Sequence, residues 1–595
     1  MKTFAGVLAA FIVTVTSGSP TTRAAPPGSP TAGPPSAADA TLTQLADDFF
    51  DRFLFPENPT LATEAGIHRY DSQLEDFSRA GVERQVKALH EYERRFAAVD
   101  PTRLSERVRG DRELMLASIR STLLTLEVIR PWRTNPDTYS SAITGSAFSI
   151  MERNFASPNE RLRHLIDRER LMPGALREAR ANLDNPPEIF TRIALQQLPG
   201  VTAFFEHDLP GAFAAADDRR LQAEFQSANA AVVAALKEYA AWTEKDLLPR
   251  SHGDFRLGER TFRAKLSYDE MVDTPLDRLL AIGTADLRRN QAEFARIAHE
   301  LEPQKSTQQV LQELASRSPD PSHLLESFRA TFDGLIAFIE SHRIITIPSP
   351  VRPIVRETPP FMRATTFASM DTPGPFEPVA TEAYFNVTLP EHGWSAERVR
   401  GFMAGFSYPL ISNIAVHEAY PGHYVQFLWM HRVDDRVRKL IGASSNAEGW
   451  AHYCEQMMLD EGYGRPGTGA KSERDAKFLR LGQLQDALLR DARYLVAIQM
   501  HTGSMTLEQA QQLFVKEGYQ SAEVAEVEAK RGTSDPTYLY YTLGKLQILK
   551  LRADLQAREG PAFRLADFHD AFMRQGFPPI KVVRRALLHD DSPTL

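Results

Sequence analysis

The chain has 595 residues, of which 25% are charged and 43% hydrophobic, and its formal net charge at pH 7 is -8. This length can bury a large core and predicts two or more lobes. A mildly acidic chain without a basic cluster argues against a nucleic-acid partner, and the single cysteine, Cys454, excludes an intramolecular disulfide and a thiolate-rich metal site.

Residues 1–25 have the pattern of a secretory signal peptide. Lys2 precedes an apolar run from Phe4 to Val15, and small residues follow this run. The run is too short for a membrane span, so we predict cleavage and a secreted or periplasmic protein. Residues 26–40 are rich in Pro, Ala, Gly and Ser, which predicts a flexible tether.

The rest of the chain predicts a mainly α fold. Apolar residues recur at helical spacing, for example in the series Leu116, Ile119, Leu123 and Leu126. Around residues 344–360 the pattern changes to short β-branched runs interrupted by prolines, which indicates a boundary. We therefore predict an N-terminal helical lobe over 41–345 and a catalytic helical lobe with a small sheet over 346–595.

Two short segments predict a small antiparallel β-sheet just before the motif described next. The first covers 364–367 and the second 383–387, and a turn-rich loop separates them. An edge strand at this place can pair with an extended peptide, which puts Tyr384 and Asn386 among the candidate substrate-binding residues. A purely structural hairpin is the alternative.

Residues 417–423, His-Glu-Ala-Tyr-Pro-Gly-His, look like the zinc-peptidase signature His-Glu-x-x-His with two residues inserted. In a continuous helix, two histidines six residues apart point to different faces. Pro421 and Gly422 are suited to interrupting a helix, so we predict a local bulge that brings His423 beside His417. The alternative is a pair of hydrogen-bonded core histidines beside a buried glutamate.

A second polar series follows 25 residues later. Glu448, His452 and Glu455 have the spacing i, i+4, i+7 and share one face of a helix. We predict that Glu448 completes a zinc site with the two histidines, while His452 and Glu455 orient the ligands. The alternative is a capping box, in which Ser445 and Glu448 merely begin the helix.

Together the two motifs predict a hydrolytic site with one Zn²⁺ per chain, held by His417, His423 and Glu448. Such a site keeps one coordination position for water, whose pKa zinc lowers to about 7. Glu418 adjoins the first ligand and is the predicted general base. Arg490 and Arg493 lie three apart on a predicted helix and can clamp a substrate carboxylate, although pairing with structural acids is the alternative.

Most of the chain from residue 41 onward resembles the bacterial family called domain of unknown function 885 (DUF885), whose members are grouped with zinc metallopeptidases. Many relatives have a second histidine where this chain has Tyr424, and often an aspartate where it has Ala497. The segments that carry the resemblance are 417–423 with Gln426, 448–455, Arg490 with Arg493 and His501, 535–536 up to Tyr541 and Gly544, and 568–570 before Gly576 and Pro578.

The resemblance implies a zincin-like helical body and an exported zinc metallopeptidase that hydrolyses peptides or short oligopeptides. It implies Tyr541 as the donor to the oxyanion, with Tyr538 and Tyr540 as neighbours that the sequence leaves open. It also implies a supporting role for His501. Two alternatives are a zinc-dependent amidase for a non-protein amide such as a cell-wall peptide, and a catalytically silent binding protein. Nothing in the sequence indicates the oligomeric state.

Overall fold

The computed structural model describes residues 36–359, 363 and 366–595, and helices cover most of this part. The predicted mainly α fold is therefore confirmed. The predicted signal peptide over 1–25 and residues 26–35 of the predicted tether lie outside the described residues. The remainder of the predicted tether overlaps the first helix, which begins at Ala37 because the Ser36 hydroxyl accepts a hydrogen bond from the Asp39 N–H at 3.0 Å.

The described residues hold fifteen α-helices before the sheet and eleven helices within or after it. Those before the sheet are α1 (Ala37–Phe49), α2 (Phe55–Glu57), α3 (Pro59–Glu64), α4 (Arg79–Ala97), α5 (Glu106–Leu123), α6 (Pro131–Thr134), α7 (Asp137–Glu152), α8 (Pro158–Asn182), α9 (Glu188–Ala203), α10 (Leu209–Ala212), α11 (Arg219–Trp242), α12 (Gly258–Glu270), α13 (Leu276–Leu301), α14 (Thr307–Ala315) and α15 (Leu324–Ser341). The others are α16 (Ala396–Met403), α17 (Tyr408–Glu418), α18 (His423–Met430), α19 (Arg436–Leu440), α20 (Ser444–Asp460), α21 (Glu473–His501), α22 (Leu507–Lys516), α23 (Ala522–Ser534), α24 (Tyr540–Glu559), α25 (Leu565–Met573) and α26 (Ile580–Leu588). Nowhere in the described ranges is a helix both long and apolar enough to cross a bilayer.

The small sheet has three strands in the order β1-β3-β2, namely β1 (Ile354–Glu357), β2 (Ala368–Asp371) and β3 (Tyr384–Val387). β2 runs antiparallel to β3, but β1 runs parallel to it. The prediction of a small sheet is confirmed. The prediction that this sheet is wholly antiparallel is wrong, because the proline-rich segment supplies β1, which runs parallel to β3.

The second predicted strand coincides with β3, but the first is displaced along the chain. We expect it over 364–367, and the structure has β2 at 368–371. Residues 364 and 365 lie outside the described residues. β2 has β3 on one side, and its other side faces α17.

One large apolar core packs the sheet, α15 and the helices that carry the two motifs. The Phe332 ring of α15 stacks on the Phe385 ring of β3 at 6.1 Å and meets the Tyr420 ring edge-on at 5.4 Å. Tyr420 lies between α17 and α18, so these contacts connect the sheet to the first motif. Both motifs therefore lie in the interior of the molecule.

Helices α20 and α24 cross at a pair of glycines. A Cβ atom on Gly449 would lie 2.5 Å from the Gly544 Cα, and one on Gly544 would lie 1.9 Å from the Ser445 carbonyl oxygen. Larger residues would hold the two helices apart. This close approach places Tyr541, one turn before Gly544, on the helix that packs against Glu448.

Candidate metal centre

The first motif is a broken helix. α17 ends at Glu418 and α18 begins at His423, with a cis peptide bond between Tyr420 and Pro421. The Gly422 N–H donates to the Val416 carbonyl at 3.0 Å, six residues back instead of four, so the chain makes a wide turn here. A Cβ on Gly422 would lie 1.8 Å from the His417 carbonyl oxygen, and only glycine fits.

This turn brings the two histidines together. The ring centroids of His417 and His423 are 4.9 Å apart, and the rings are perpendicular. The predicted bulge is therefore confirmed. The Trp450 indole N–H of α20 donates to the Pro421 carbonyl at 2.9 Å, which connects the turn to the helix that carries the second motif.

Three candidate ligand atoms converge at this point. The Glu448 Oε2 atom lies 3.4 Å from His417 Nε2 and 3.3 Å from His423 Nε2. All three atoms lie within 4.8 Å of one another. For metal–ligand distances near 2.0 Å, the edge of a tetrahedron is about 3.3 Å long, so the donor set fits a zinc ion. His423 Nδ1 is buried without a partner among the described residues, and the polar contact of this ring runs through Nε2.

The capping-box alternative for Glu448 is wrong. α20 begins at Ser444, and its N-cap residue, Ala443, has no capping side chain. The Ser445 N–H instead donates to the buried Glu270 carboxylate at 3.1 Å. The Glu448 side chain points to the histidines, and although burial opposes its charge, His423 and His417 hold its pKa well below the usual range.

Glu455 contacts the first candidate ligand, His417, from the same face of α20 that carries Glu448. Its Oε1 accepts a hydrogen bond from His417 Nδ1 at 2.7 Å, which leaves Nε2 of that ring directed at Glu448. Arg490 Nη2 lies 3.1 Å from the same oxygen. His452 Nδ1 lies 3.3 Å from Oε2, so His452 supports the site through Glu455.

Glu418 follows His417 in sequence, and its side chain contacts the edge of the sheet. It is the last residue of α17, and its Oε2 accepts a hydrogen bond from the Met370 N–H of β2 at 2.9 Å. The general-base candidate thus adjoins both a candidate ligand and the backbone of an edge strand.

Among the three tyrosines left open, Tyr541 makes a ring contact with His417. Its ring lies 6.4 Å from the His417 ring, and its hydroxyl accepts a long hydrogen bond from Arg531 Nη2 at 3.5 Å, which leaves its own O–H free to donate. The Tyr540 hydroxyl donates to Asp535 at 3.1 Å. The Tyr538 hydroxyl is fully buried beside Gly532.

Four predicted supporting residues lie outside this network, namely Arg493, His501, Tyr384 and Asn386. Arg493 makes a buried two-pronged ion pair with Glu528, both contacts at 2.7 Å, so the structural pairing we named as the alternative holds for it. His501 makes no hydrogen bond with a residue of the candidate site. Its Nε2 contacts the Gly532 carbonyl at 2.7 Å, and its ring contacts the rings of Phe255 and Phe262.

Tyr384 and Asn386 of β3 face an arginine instead of the cluster. The Arg356 guanidinium lies 3.7 Å from the centre of the Tyr384 ring, and its Nε donates to the Asn386 side-chain oxygen at 2.8 Å. These contacts have a structural role within the sheet. The substrate-binding prediction for the two residues therefore finds no support in their contacts.

Sequence reasoning misses two further residues that contact this network. Asn413 lies one turn before His417 on α17, and its side-chain N–H donates to Glu455 at 3.0 Å. The i, i+4 spacing is the signal that points to it. Arg531 comes from α23, which carries neither motif, and no local pattern indicates that it approaches Tyr541.

Two solved structures share this fold. One is described as a candidate lipoprotein of unknown function from Shewanella oneidensis, with a TM-score of 0.76 and 26% identity over 92% of this chain and 99% of that chain. The other, described as a candidate lipoprotein from Colwellia psychrerythraea, has a TM-score of 0.78 and 18% identity over 93% of this chain and 99% of that chain, and it shows the fold alone. No curated protein matches. A family described as bacterial protein of unknown function, DUF885, matches residues 59–587, and the chain belongs to this family.

Proposed function

We propose that the protein is an exported zinc-dependent metallopeptidase that hydrolyses peptide bonds in peptides or short oligopeptides. The observation that carries the proposal is the convergence of His417 Nε2, His423 Nε2 and Glu448 Oε2 with the spacing of a tetrahedral site. The Glu455 carboxylate behind His417 is the outer partner that zinc-binding histidines usually have.

A bound zinc ion supplies a Lewis acid and lowers the pKa of a water molecule. Glu418 would hold the proton taken from the attacking water and pass it to the leaving amine, since its carboxylate adjoins His417. Tyr541 would donate its free O–H to the carbonyl oxygen of the scissile bond. The edge strand β2, already hydrogen-bonded to Glu418, would align an extended peptide beside these groups.

Export is proposed on two observations. Residues 1–25 have the pattern of a signal peptide. Both solved relatives are described as candidate lipoproteins, which is a class of exported proteins.

Metal stoichiometry tests the site first. We expect about one zinc per chain in the wild type after equilibration and desalting, almost none in His423→Ala, and an unchanged content in His392→Ala, a control at an exposed histidine. Elemental analysis gives the answer directly. Equal zinc in all three proteins, or none in any, would remove His423 from the ligand set and favour a binding protein.

Peptide digestion then tests the chemistry. Glu418→Gln should keep its zinc and lose about 10²- to 10⁴-fold in kcat/KM on a peptide library, because the general base is gone and the ligands are not. Full activity in this variant, or none in a zinc-loaded wild type, would contradict the peptidase proposal.

A further inference from the structure

Three arginines surround Tyr541, and they differ in how open they are. The guanidinium carbons of Arg490, Arg493 and Arg531 lie 5.7, 5.0 and 6.0 Å from the centre of its ring. The side chains of Arg490 and Arg493 are 11% and 9% exposed and are paired with Glu455 and Glu528. The Arg531 side chain is 36% exposed. Of these three cations, Arg531 has the most exposed side chain.

The hydrogen bonds of Arg531 occupy one side of its guanidinium. Nε and Nη2 donate to Asp535 Oδ2 at 3.3 and 3.1 Å, and Nη2 also approaches the hydroxyls of Tyr540 and Tyr541 at 3.4 and 3.5 Å. Among the described residues, Nη1 donates to no acceptor. Asp535 therefore orients the fork, and the Nη1 edge is available to a second carboxylate.

Arg531 lies a short distance from the candidate metal ligand His417. The Tyr541 ring lies 6.4 Å from the His417 ring and 6.0 Å from the Arg531 guanidinium. An extended peptide advances about 3.3–3.6 Å per residue. One to three residues of substrate can therefore connect a bond held at His417 with a charge held at Arg531.

We propose that Arg531 binds the free C-terminal carboxylate of the substrate, so that the protein removes one to three residues from the C-terminal end of a peptide. This inference rests on the proposed function. In the reaction the peptide C–N bond breaks, the hydroxyl of water joins the carbonyl carbon, and the other proton of water goes to the amine of the released C-terminal fragment. The carboxylate that Arg531 binds belongs to this released fragment.

The wild type is tested with matched pairs of internally quenched peptides that differ only in a C-terminal carboxylate or a C-terminal amide. We expect kcat/KM to be about 10²-fold higher for the free acid, because the amide leaves Arg531 without its anionic partner. Equal cleavage of both would overturn the carboxylate proposal and leave the peptidase proposal standing. Cleavage of neither by a zinc-loaded protein would contradict the peptidase proposal itself. Cleavage of an amidated peptide that depends on an internal Asp or Glu side chain would also overturn the assignment of Arg531 to the C-terminal carboxylate.

Substitution then assigns the preference to Arg531. In Arg531→Gln the ratio of acid to amide cleavage should fall to near one, while Arg531→Lys should keep part of it because the charge remains. Arg220→Gln, whose side chain is 89% exposed on α11, is the matched control and should keep the wild-type ratio. An unchanged ratio in a folded Arg531→Gln would overturn the proposal.

Binding provides a readout without turnover. In the Glu418→Gln background, calorimetry should give a Kd about 10²-fold lower for the free acid than for the amide, and adding Arg531→Lys should narrow this difference. The lysine variant retains the charge beside Asp535, so it remains informative if the glutamine variant fails to fold. Equal affinities for acid and amide would overturn the proposal.

Discussion

At Glu455, one fully buried carboxylate connects the candidate ligand His417 to Arg490. Burial opposes its negative charge, but Arg490, His452 and the hydrogen bond from His417 outweigh burial and hold the pKa of Glu455 well below its usual range. The carboxylate is therefore ionised at neutral pH. An ionised acceptor fixes the His417 ring and makes its Nε2 a stronger ligand.

Glu455→Gln should weaken zinc binding about 10- to 100-fold, because the amide keeps the shape of the side chain but loses the charge. The measurement is a competitive zinc titration against a chromophoric chelator. Glu461→Gln is the control, since Glu461 follows the same helix and pairs with Arg552 near the surface. Equal zinc affinities in the two variants would show that Glu455 does not tune the ligand.

His569 contributes to stability with a defined dependence on pH. Burial disfavours its charged form and lowers its pKa from 6.5 to about 3, against the hydrogen bond from Nδ1 to the Ile344 carbonyl at 2.7 Å. The neutral ring contributes stability that is fully present above pH 6.5 and is lost as the pH falls toward 3, since the unfolded chain takes up the proton first.

We therefore compare the wild type with His569→Asn. Between pH 6 and 4.5, the stability advantage of the wild type should shrink by about 1.4 kcal/mol per pH unit. Urea unfolding at each pH gives the difference. Burial raises the pKa values of acids such as Glu64 and Glu169 to about 8, so their contribution to stability changes with pH in the opposite direction. The wild type and His569→Asn share these acids, and their effect cancels in the difference. A difference that stays constant with pH would mean that His569 is not held neutral.

At the level of secondary-structure elements, the break between α17 and α18 is the feature that builds the site. A continuous helix would point His423 away from His417. The wide turn instead needs a residue without a side chain at Gly422, because the His417 carbonyl occupies the place of a Cβ. The Trp450 indole then holds the Pro421 carbonyl from α20.

Gly422→Ala should abolish stoichiometric zinc binding and lower the free energy of unfolding by about 3 kcal/mol, since the added methyl group overlaps backbone atoms that cannot move freely. Zinc analysis and urea unfolding measure the two effects. Gly334→Ala, in open space on α15, is the matched control and should stabilise the helix by up to about 1 kcal/mol. Normal zinc content in Gly422→Ala would show that the turn tolerates a side chain.

The sequence predicts those parts of the site that lie within one helix or within one interrupted motif. Glu448, His452 and Glu455 share a helical face, and Pro421 with Gly422 marks the break, so both groups follow from local rules. Arg531 and the parallel strand β1 do not, because they depend on which distant segments pack together. The same limit applies to two residues of α21 that we predict at the site. Arg493 contacts Glu528, and His501 contacts Gly532, instead of the cluster.

For the whole molecule, the candidate site joins three helices inside the largest core. His417 lies on α17, His423 on α18 and Glu448 on α20, and apolar residues from α15 to α26 pack around them. Unfolding this core separates the three candidate ligand atoms. A metal that binds only the folded site therefore stabilises the whole fold through mass action.

Buffered zinc should raise the melting temperature of the wild type, with a stabilisation of about 2.7 kcal/mol when free zinc is a hundredfold above its Kd. Chelation should reverse the shift, which scanning calorimetry measures. His392→Ala should respond like the wild type, whereas His423→Ala should melt at the same temperature with and without zinc. A shift of equal size in His423→Ala would mean that zinc binds elsewhere on the chain, and the joining of α17, α18 and α20 would then rest on apolar packing alone.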